Sequence, residues 1–111
     1  MDNELAVRCF SALGHPRRLE VLRLLIRHAP DGLRAGSIAQ EFGQPASTMS
    51  SHLRILSDAG LVSSQRKGRE IYFAPDIDRL RDLVLFLVAD CCGGEAVKCG
   101  PLLAELLPCC P

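Results

Sequence analysis

The sequence predicts a mainly α-helical domain that carries one small β-hairpin. Its 111 residues are enough for one hydrophobic core and too few for two. Apolar residues recur at helical spacing in five segments separated by Gly or Pro. Between the fourth and fifth of these segments, two short runs typical of β-strands flank Lys67 and Gly68, which indicates a basic hairpin. Together these features predict one helical domain with a projecting hairpin.

The first two predicted helices supply much of the core. Helix one starts from a cap at Asp2 or Asn3 and ends at Gly14. Its apolar face consists of Leu5, Ala6, Cys9, Phe10 and Leu13. Helix two starts at Pro16, which suits a first helical position, and stops before Pro30. The residues predicted to be mostly buried in it are Leu19, Val21, Leu22, Leu24, Leu25 and Ile26.

A helical pair with unlike faces follows. Residues 37–42 are predicted to form a short helix closed by Gly43, and the next predicted helix, of about 14 residues, lies between Pro45 and Gly60. Its narrow buried stripe is predicted to be Ala46, Met49, Leu53 and Leu56. Its outer face carries Ser47, Ser50, Ser51, Arg54 and Asp58, with Thr48 and His52 at the borders. The second helix of the pair therefore presents an almost wholly polar surface.

The hairpin and the last helix complete the predicted domain. Residues 61–66 and 70–73 are predicted to form the two strands, and Asp76 is predicted to cap a helix that runs to about residue 90. The second half of this helix, residues 83–88, is apolar on every side. A small domain usually buries such a helix against another copy of itself, so the sequence predicts a homodimer formed through the terminal helices.

Composition and charge exclude several functional classes. Basic and acidic residues each number 13, so nucleic acid can be bound only through local charge, and residues 46–75 hold four basic residues against two acidic ones. Only 5% of residues are aromatic and Trp is absent, which disfavours stacking on single strands. The longest apolar run, 83–89, is far shorter than a membrane span, and the acidic start resembles no secretory signal. A cytoplasmic protein without a membrane partner is expected.

Two short helices followed by a basic hairpin are typical of a winged helix-turn-helix, which binds double-stranded DNA. The candidate DNA-contacting residues are Ser47, Thr48, Ser50, Ser51, His52 and Arg54 on the second helix and Arg66, Lys67 and Arg69 in the hairpin. The alternatives are a solvated helix face beside a surface hairpin, and a winged helix that binds protein only. A mobility shift with a promoter fragment distinguishes these interpretations.

Two motifs resemble one family in particular. The stretch STMSSHLRIL at 47–56, continued by DAGLV at 58–62, resembles the recognition-helix signature of the ArsR/SmtB metal-responsive repressors. The stretch FSALGHPRRL at 10–19 resembles that family's second-helix entry. With the hairpin, the resemblance runs from about residue 5 to 90. It implies a dimeric repressor that leaves an inverted-repeat operator when an inducer binds.

Some inducer sites of that family have no counterpart here. One subgroup carries thiols just before the recognition helix, but residues 33–38 contain none. The zinc-sensing subgroup uses His and acidic residues on the last helix, whereas His15, His28 and His52 all precede it. Cys9 falls on an apolar helix face, so we expect it to be a core or interface residue. His15 falls at a helix start, where we expect a turn or capping residue and not a ligand.

The remaining cysteines are concentrated at the C-terminal end. Cys91, Cys92 and Cys99 provide three soft thiolates around a Gly-Gly loop, a set that suits As(III). They resemble the C-terminal thiols of arsenite-responsive family members. We expect arsenite as inducer, with antimonite or a methylated trivalent arsenical also able to bind; Cys109 and Cys110 are auxiliary candidates. The predicted division is a DNA-binding and dimerisation domain at 1–91 and an inducer-binding segment at 92–111.

Other chemistries of these thiols stay open. The thiols could form a Zn(II) or Cd(II) site completed by Cys109 or Cys110, or an oxidation-sensitive cluster. A thiol enzyme is not expected, because the sequence has no Cys-x-x-Cys motif, no phosphate-cradling loop and no evident thiol–histidine pair.

Overall fold

The computed structural model describes residues 1–88, which form five α-helices and three β-strands. In chain order these are α1 (Asn3–Leu13), α2 (Pro16–Arg27), β1 (Leu33–Arg34), α3 (Ala35–Glu41), α4 (Ala46–Asp58), β2 (Val62–Lys67), β3 (Glu70–Pro75) and α5 (Ile77–Leu87). The order and type of these elements confirm the predicted winged helix-turn-helix, in which α3 and α4 are the helical pair and the β2–β3 hairpin is the wing.

Side-chain caps fix the starts of three helices. The Asp2 carboxylate accepts the Leu5 backbone N–H at 2.8 Å, and the Asp76 carboxylate accepts the Arg79 N–H at 3.0 Å. His15 caps α2, where its Nδ1 accepts the N–H of Arg17 at 3.1 Å. Each cap satisfies an N–H that has no partner within its own helix. The predicted caps at Asp2, His15 and Asp76 are confirmed.

The core lies between α1, α2, α3 and α4, with the base of the wing closing one side. Its largest fully buried side chains are Leu25, Ile38, Met49, Leu53, Leu56, Leu61, Val21 and Cys9. The Cys9 thiol donates to the Ala59 carbonyl at 3.4 Å, which joins α1 to the end of α4. Burial raises the pKa of this thiol, which favours its protonated form. Of the two predicted roles, core or interface, the structure shows the core.

The three strands form an antiparallel sheet in the order β1-β3-β2. Leu33 pairs with Phe73 on one edge, and Ser64 pairs with Phe73 on the other. Val62 and Pro75 are buried at the base of the wing, whereas the rest of β2 is exposed. The wing therefore projects from the domain while its base is held in the core.

Several predicted details are wrong. Phe10, Leu19 and Ile26 are 43%, 45% and 42% exposed, because each helix buries only the stripe that faces its neighbours. Ala46 is exposed in the first turn of α4, before that helix reaches the core. The two-residue strand β1 was not predicted, and α3 consequently begins at Ala35 rather than at residue 37.

The last predicted helix is shorter in the structure, since α5 ends at Leu87. Within residues 1–88, no helix is both long and apolar enough to cross a membrane. The boundary at 91/92 and the thiols Cys91, Cys92, Cys99, Cys109 and Cys110 lie outside the described residues.

Candidate nucleic-acid interface

The recognition helix α4 is held by one apolar stripe. Met49, Leu53 and Leu56 are fully buried at spacings of four and three residues, so they lie on a single side of the helix. No side chain caps its N-terminus, where Pro45 occupies the N-cap position. Because the buried stripe fixes the rotation of α4 about its axis, the opposite face is directed to solvent.

That outer face is short, polar and accessible. Ser47, Thr48, Ser50, Ser51 and Arg54 are all exposed, as the sequence predicted. The Ser51 hydroxyl donates to the Ser47 carbonyl at 3.3 Å, which directs one hydroxyl back to the helix. Small hydroxyls beside an arginine can contact both phosphates and base edges in a major groove. The exposure of these side chains is compatible with DNA contact, and the contacts themselves stay a prediction from the sequence.

His52 has a different environment. Its ring is half-buried with its centroid 4.8 Å from that of His15, and its Nδ1 is buried with no hydrogen-bond partner among the described residues. Burial lowers the pKa of His52, and the nearby His15, Arg18 and Arg17 lower it further. With its pKa below 6.5, His52 is mostly uncharged at pH 7 in the free protein.

This lowered pKa makes folding stability dependent on pH. The pKa of His52 lies below its ordinary value of 6.5 in the folded state, so the unfolded chain binds more protons as pH falls through 6.5. The free energy of unfolding should accordingly drop between about pH 7.5 and about pH 5.5. Urea unfolding at these two pH values should give a smaller drop for His52→Gln than for the natural protein. His28→Gln, at an exposed histidine, is the matched control; equal drops in all three proteins would contradict the assignment.

The wing places three cations at its tip. Arg66 Nε donates to the Gly68 carbonyl at 3.2 Å, and Lys67 Nζ lies 4.7 Å from the centre of the Tyr72 ring. Arg69 lies in the turn between β2 and β3, and all three cations are exposed. Exposed cations on a projecting hairpin suit phosphates that flank the groove proposed for α4.

A cleft beside the wing was missed by sequence reasoning. It encloses about 550 Å³ and is lined by Arg34, Ala35, Gly36, Ser37, Gln40, Arg69, Glu70 and Ile71. The pairing of β1 with β3 brings the start of α3 to the wing. The one sequence feature that pointed toward this cleft was the basic hairpin, and of the lining residues it identified only Arg69.

The predicted inducer site lies outside the described part of the chain. The thiols predicted to form it lie beyond residue 88. Within 1–88, no three or more His, Cys, Asp or Glu side chains are grouped so that they could hold a metal ion. The Cys91, Cys92 and Cys99 site therefore stays a prediction from sequence.

Known proteins resemble this chain in both sequence and fold. A family model described as a helix-turn-helix domain matches residues 13–65. The transcriptional repressor SdpR of Bacillus subtilis is 33% identical over 79 residues, which are 71% of this chain and 84% of that protein. This similarity is to a transcriptional repressor.

Solved structures extend the similarity to three dimensions. A homodimeric winged helix-turn-helix domain from Mycobacterium bovis, a possible ArsR-family regulator, is 31% identical with a TM-score of 0.64, covering 78% of each chain. The crystal structure of a possible transcriptional regulator for arsenical resistance is 28% identical with a TM-score of 0.62, covering 71% of this chain and 79% of that one. The chain belongs to the ArsR family of winged helix-turn-helix transcriptional regulators.

Proposed function

We propose that this regulator is a homodimeric repressor that binds an inverted-repeat operator and leaves it when trivalent arsenic binds its C-terminal thiolates. The observation that carries the DNA-binding part is the exposed polar face of α4, fixed outward by a fully buried stripe and flanked by a basic wing. The α4 helix would enter the major groove, while Arg66, Lys67 and Arg69 would contact the flanking backbone.

Exposed apolar surface on α5 supports the dimer. Leu83 of this helix is buried, but Val84, Leu85 and Leu87 are 38%, 39% and 65% exposed. A second copy that covers these side chains would remove apolar surface from water and orient two recognition helices together. The homodimeric state of the similar Mycobacterium bovis domain favours the same arrangement. Two such helices about one DNA turn apart would match an inverted repeat.

The chemistry of the C-terminal thiols supports As(III) as inducer. Cys91, Cys92 and Cys99 supply three sulfur ligands and no hard ligand, and trivalent arsenic prefers a pyramid of three sulfurs. The similarity to a possible regulator for arsenical resistance agrees with this choice. Antimonite or a methylated trivalent arsenical could bind the same thiolates. Cys109 and Cys110 are auxiliary candidates for the same role.

Release requires coupling between the thiol site and the DNA face. The thiols follow α5 along the chain, and α5 supplies the proposed dimer surface. Arsenic would lower operator affinity if it binds more tightly to a dimer whose two wings are spaced differently from those of the DNA-bound dimer. The loss of operator affinity then equals the coupling free energy between the two sites. A coupling of about 1.4 kcal/mol already lowers affinity tenfold.

Arg54→Ala tests the recognition helix. We expect it to weaken operator binding by about 1–3 kcal/mol and to reduce discrimination against altered operators, because Arg54 is the exposed cation on the outer face of α4. Fluorescence anisotropy on the operator and on single-base variants measures both effects. Lys67→Gln in the wing is the comparison, since it should weaken all sequences equally. An unchanged operator affinity of Arg54→Ala would remove Arg54 from the interface.

A further inference from the structure

We infer that the cleft between α3 and the wing is a second DNA contact, which binds a backbone phosphate through Arg34 and Arg69 and is restrained by Glu70. This inference rests on the proposed function, because it assumes that α4 and the wing bind duplex DNA. It adds the β1 residue Arg34, two polar residues of α3, and an acidic residue that opposes binding.

The cleft has the composition of an anion site. Arg34 lines it from β1 and Arg69 lines it from the turn of the wing, while Ser37 and Gln40 line it from α3. The space above Gly36 is free, since an added Cβ there would meet no atom within 4 Å. Two guanidinium groups that share a cleft with neutral polar side chains can hold a phosphate oxygen by charge and by hydrogen bonds.

One carboxylate occupies this positive surface in the free protein. Glu70 Oε1 accepts from Arg34 Nη1 at 2.6 Å, and Glu70 Oε2 lies 3.5 Å from the Tyr72 hydroxyl. The Arg34 and Glu70 side chains are 50% and 47% exposed. An exposed pair of this kind contributes little to stability, so a phosphate can take the place of Glu70 at small cost. Glu70 thus stands in the place of the anion that Arg34 would otherwise bind.

The position of the cleft favours the DNA backbone as the source of that phosphate. The first helix of a helix-turn-helix crosses the backbone while the second lies in the groove. Here α3 is that first helix, and its exposed Gln40 and half-buried Ser37 face the cleft whose other wall is the wing. A DNA strand held between α4 and the wing tip would therefore pass this opening.

A double-mutant cycle at Arg34 and Glu70 tests the inference. We expect Glu70→Gln to bind the operator more tightly than the natural protein. Arg34→Gln should bind about eightfold more weakly at 0.1 M salt, with the slope of log affinity against log salt reduced by about 0.9, the value for one lost phosphate contact. In the Glu70→Gln background, Arg34→Gln should reduce operator affinity at least as much as it does in the natural protein, because Arg34 would contact phosphate directly.

Controls separate this result from a general effect of net charge. Glu20→Gln removes one carboxylate from the exposed Arg17–Glu20 pair, which lies outside the cleft, and should change affinity much less than Glu70→Gln. If Arg34→Gln has no effect once Glu70 is Gln, Arg34 merely neutralises Glu70 and the inference is overturned. Failure of the natural protein to bind any operator would instead overturn the proposed function.

Discussion

Replacing Cys91, Cys92 or Cys99 by serine is expected to abolish arsenite-driven release of the operator while leaving operator affinity unchanged. A hydroxyl is a poor substitute for a thiolate toward a soft ion, so each variant loses one of three arsenic ligands. The recognition helix and wing lie within residues 46–75, remote in sequence from these thiols. Titration of arsenite into reduced protein on labelled operator gives both quantities.

The remaining cysteines provide the controls for this experiment. Serine at Cys109 and Cys110 should preserve release if these residues are only auxiliary. Cys9 is unsuitable as a control, because its buried thiol donates to the Ala59 carbonyl and its replacement perturbs the core. Loss of operator binding in the Cys91, Cys92 or Cys99 variants would contradict their assignment as inducer ligands, as would undiminished release.

Gly32→Ala is expected to destabilise the fold by about 2–5 kcal/mol. Gly32 has a φ of +78°, which favours glycine, and it precedes β1. An added Cβ would meet the Phe73 carbonyl oxygen and lie 2.8 Å from the Phe73 carbonyl carbon. Since Phe73 pairs with β1, the clash should also separate β1 from β3 and displace Arg34 from its cleft. Urea unfolding measures the loss of stability.

Two other glycines separate the clash from the backbone preference. Gly43 has a φ of +60° with open space around it. Gly43→Ala should therefore lower the free energy of unfolding by only about 1–2 kcal/mol, the cost of the left-handed conformation. Gly36 lies in α3 with open space and no such φ, so Gly36→Ala should be neutral or stabilising. Equal losses for Gly32→Ala and Gly43→Ala would show that the approach to Phe73 is unimportant.

Local physical rules were sufficient for most of the fold. Capping chemistry located the helix starts at Asp2 and Asp76, and the period of Met49, Leu53 and Leu56 determined the buried side of α4. The outer face of α4 followed from that stripe. These features depend on residues close together in the chain, which is why the sequence alone predicts them.

The errors arose where the structure depends on distant partners. A two-residue strand such as β1 has no periodicity of its own and exists only because β3 pairs with it. The exposure of Leu19 likewise depends on which side of α2 meets α4. The Arg34–Glu70 pair joins residues 36 positions apart, so no local pattern reveals it or the cleft beside it.

The most direct test is fluorescence anisotropy of the reduced protein on the inverted repeat of its own promoter, with arsenite, methylarsenite, Zn(II) and Cd(II) added in separate titrations. The expected result is tight binding of the operator without inducer and release by the trivalent arsenicals alone. Release by Zn(II) or Cd(II) with no response to arsenite would contradict the arsenic assignment, and would indicate a divalent-metal sensor with Cys109 or Cys110 as a ligand.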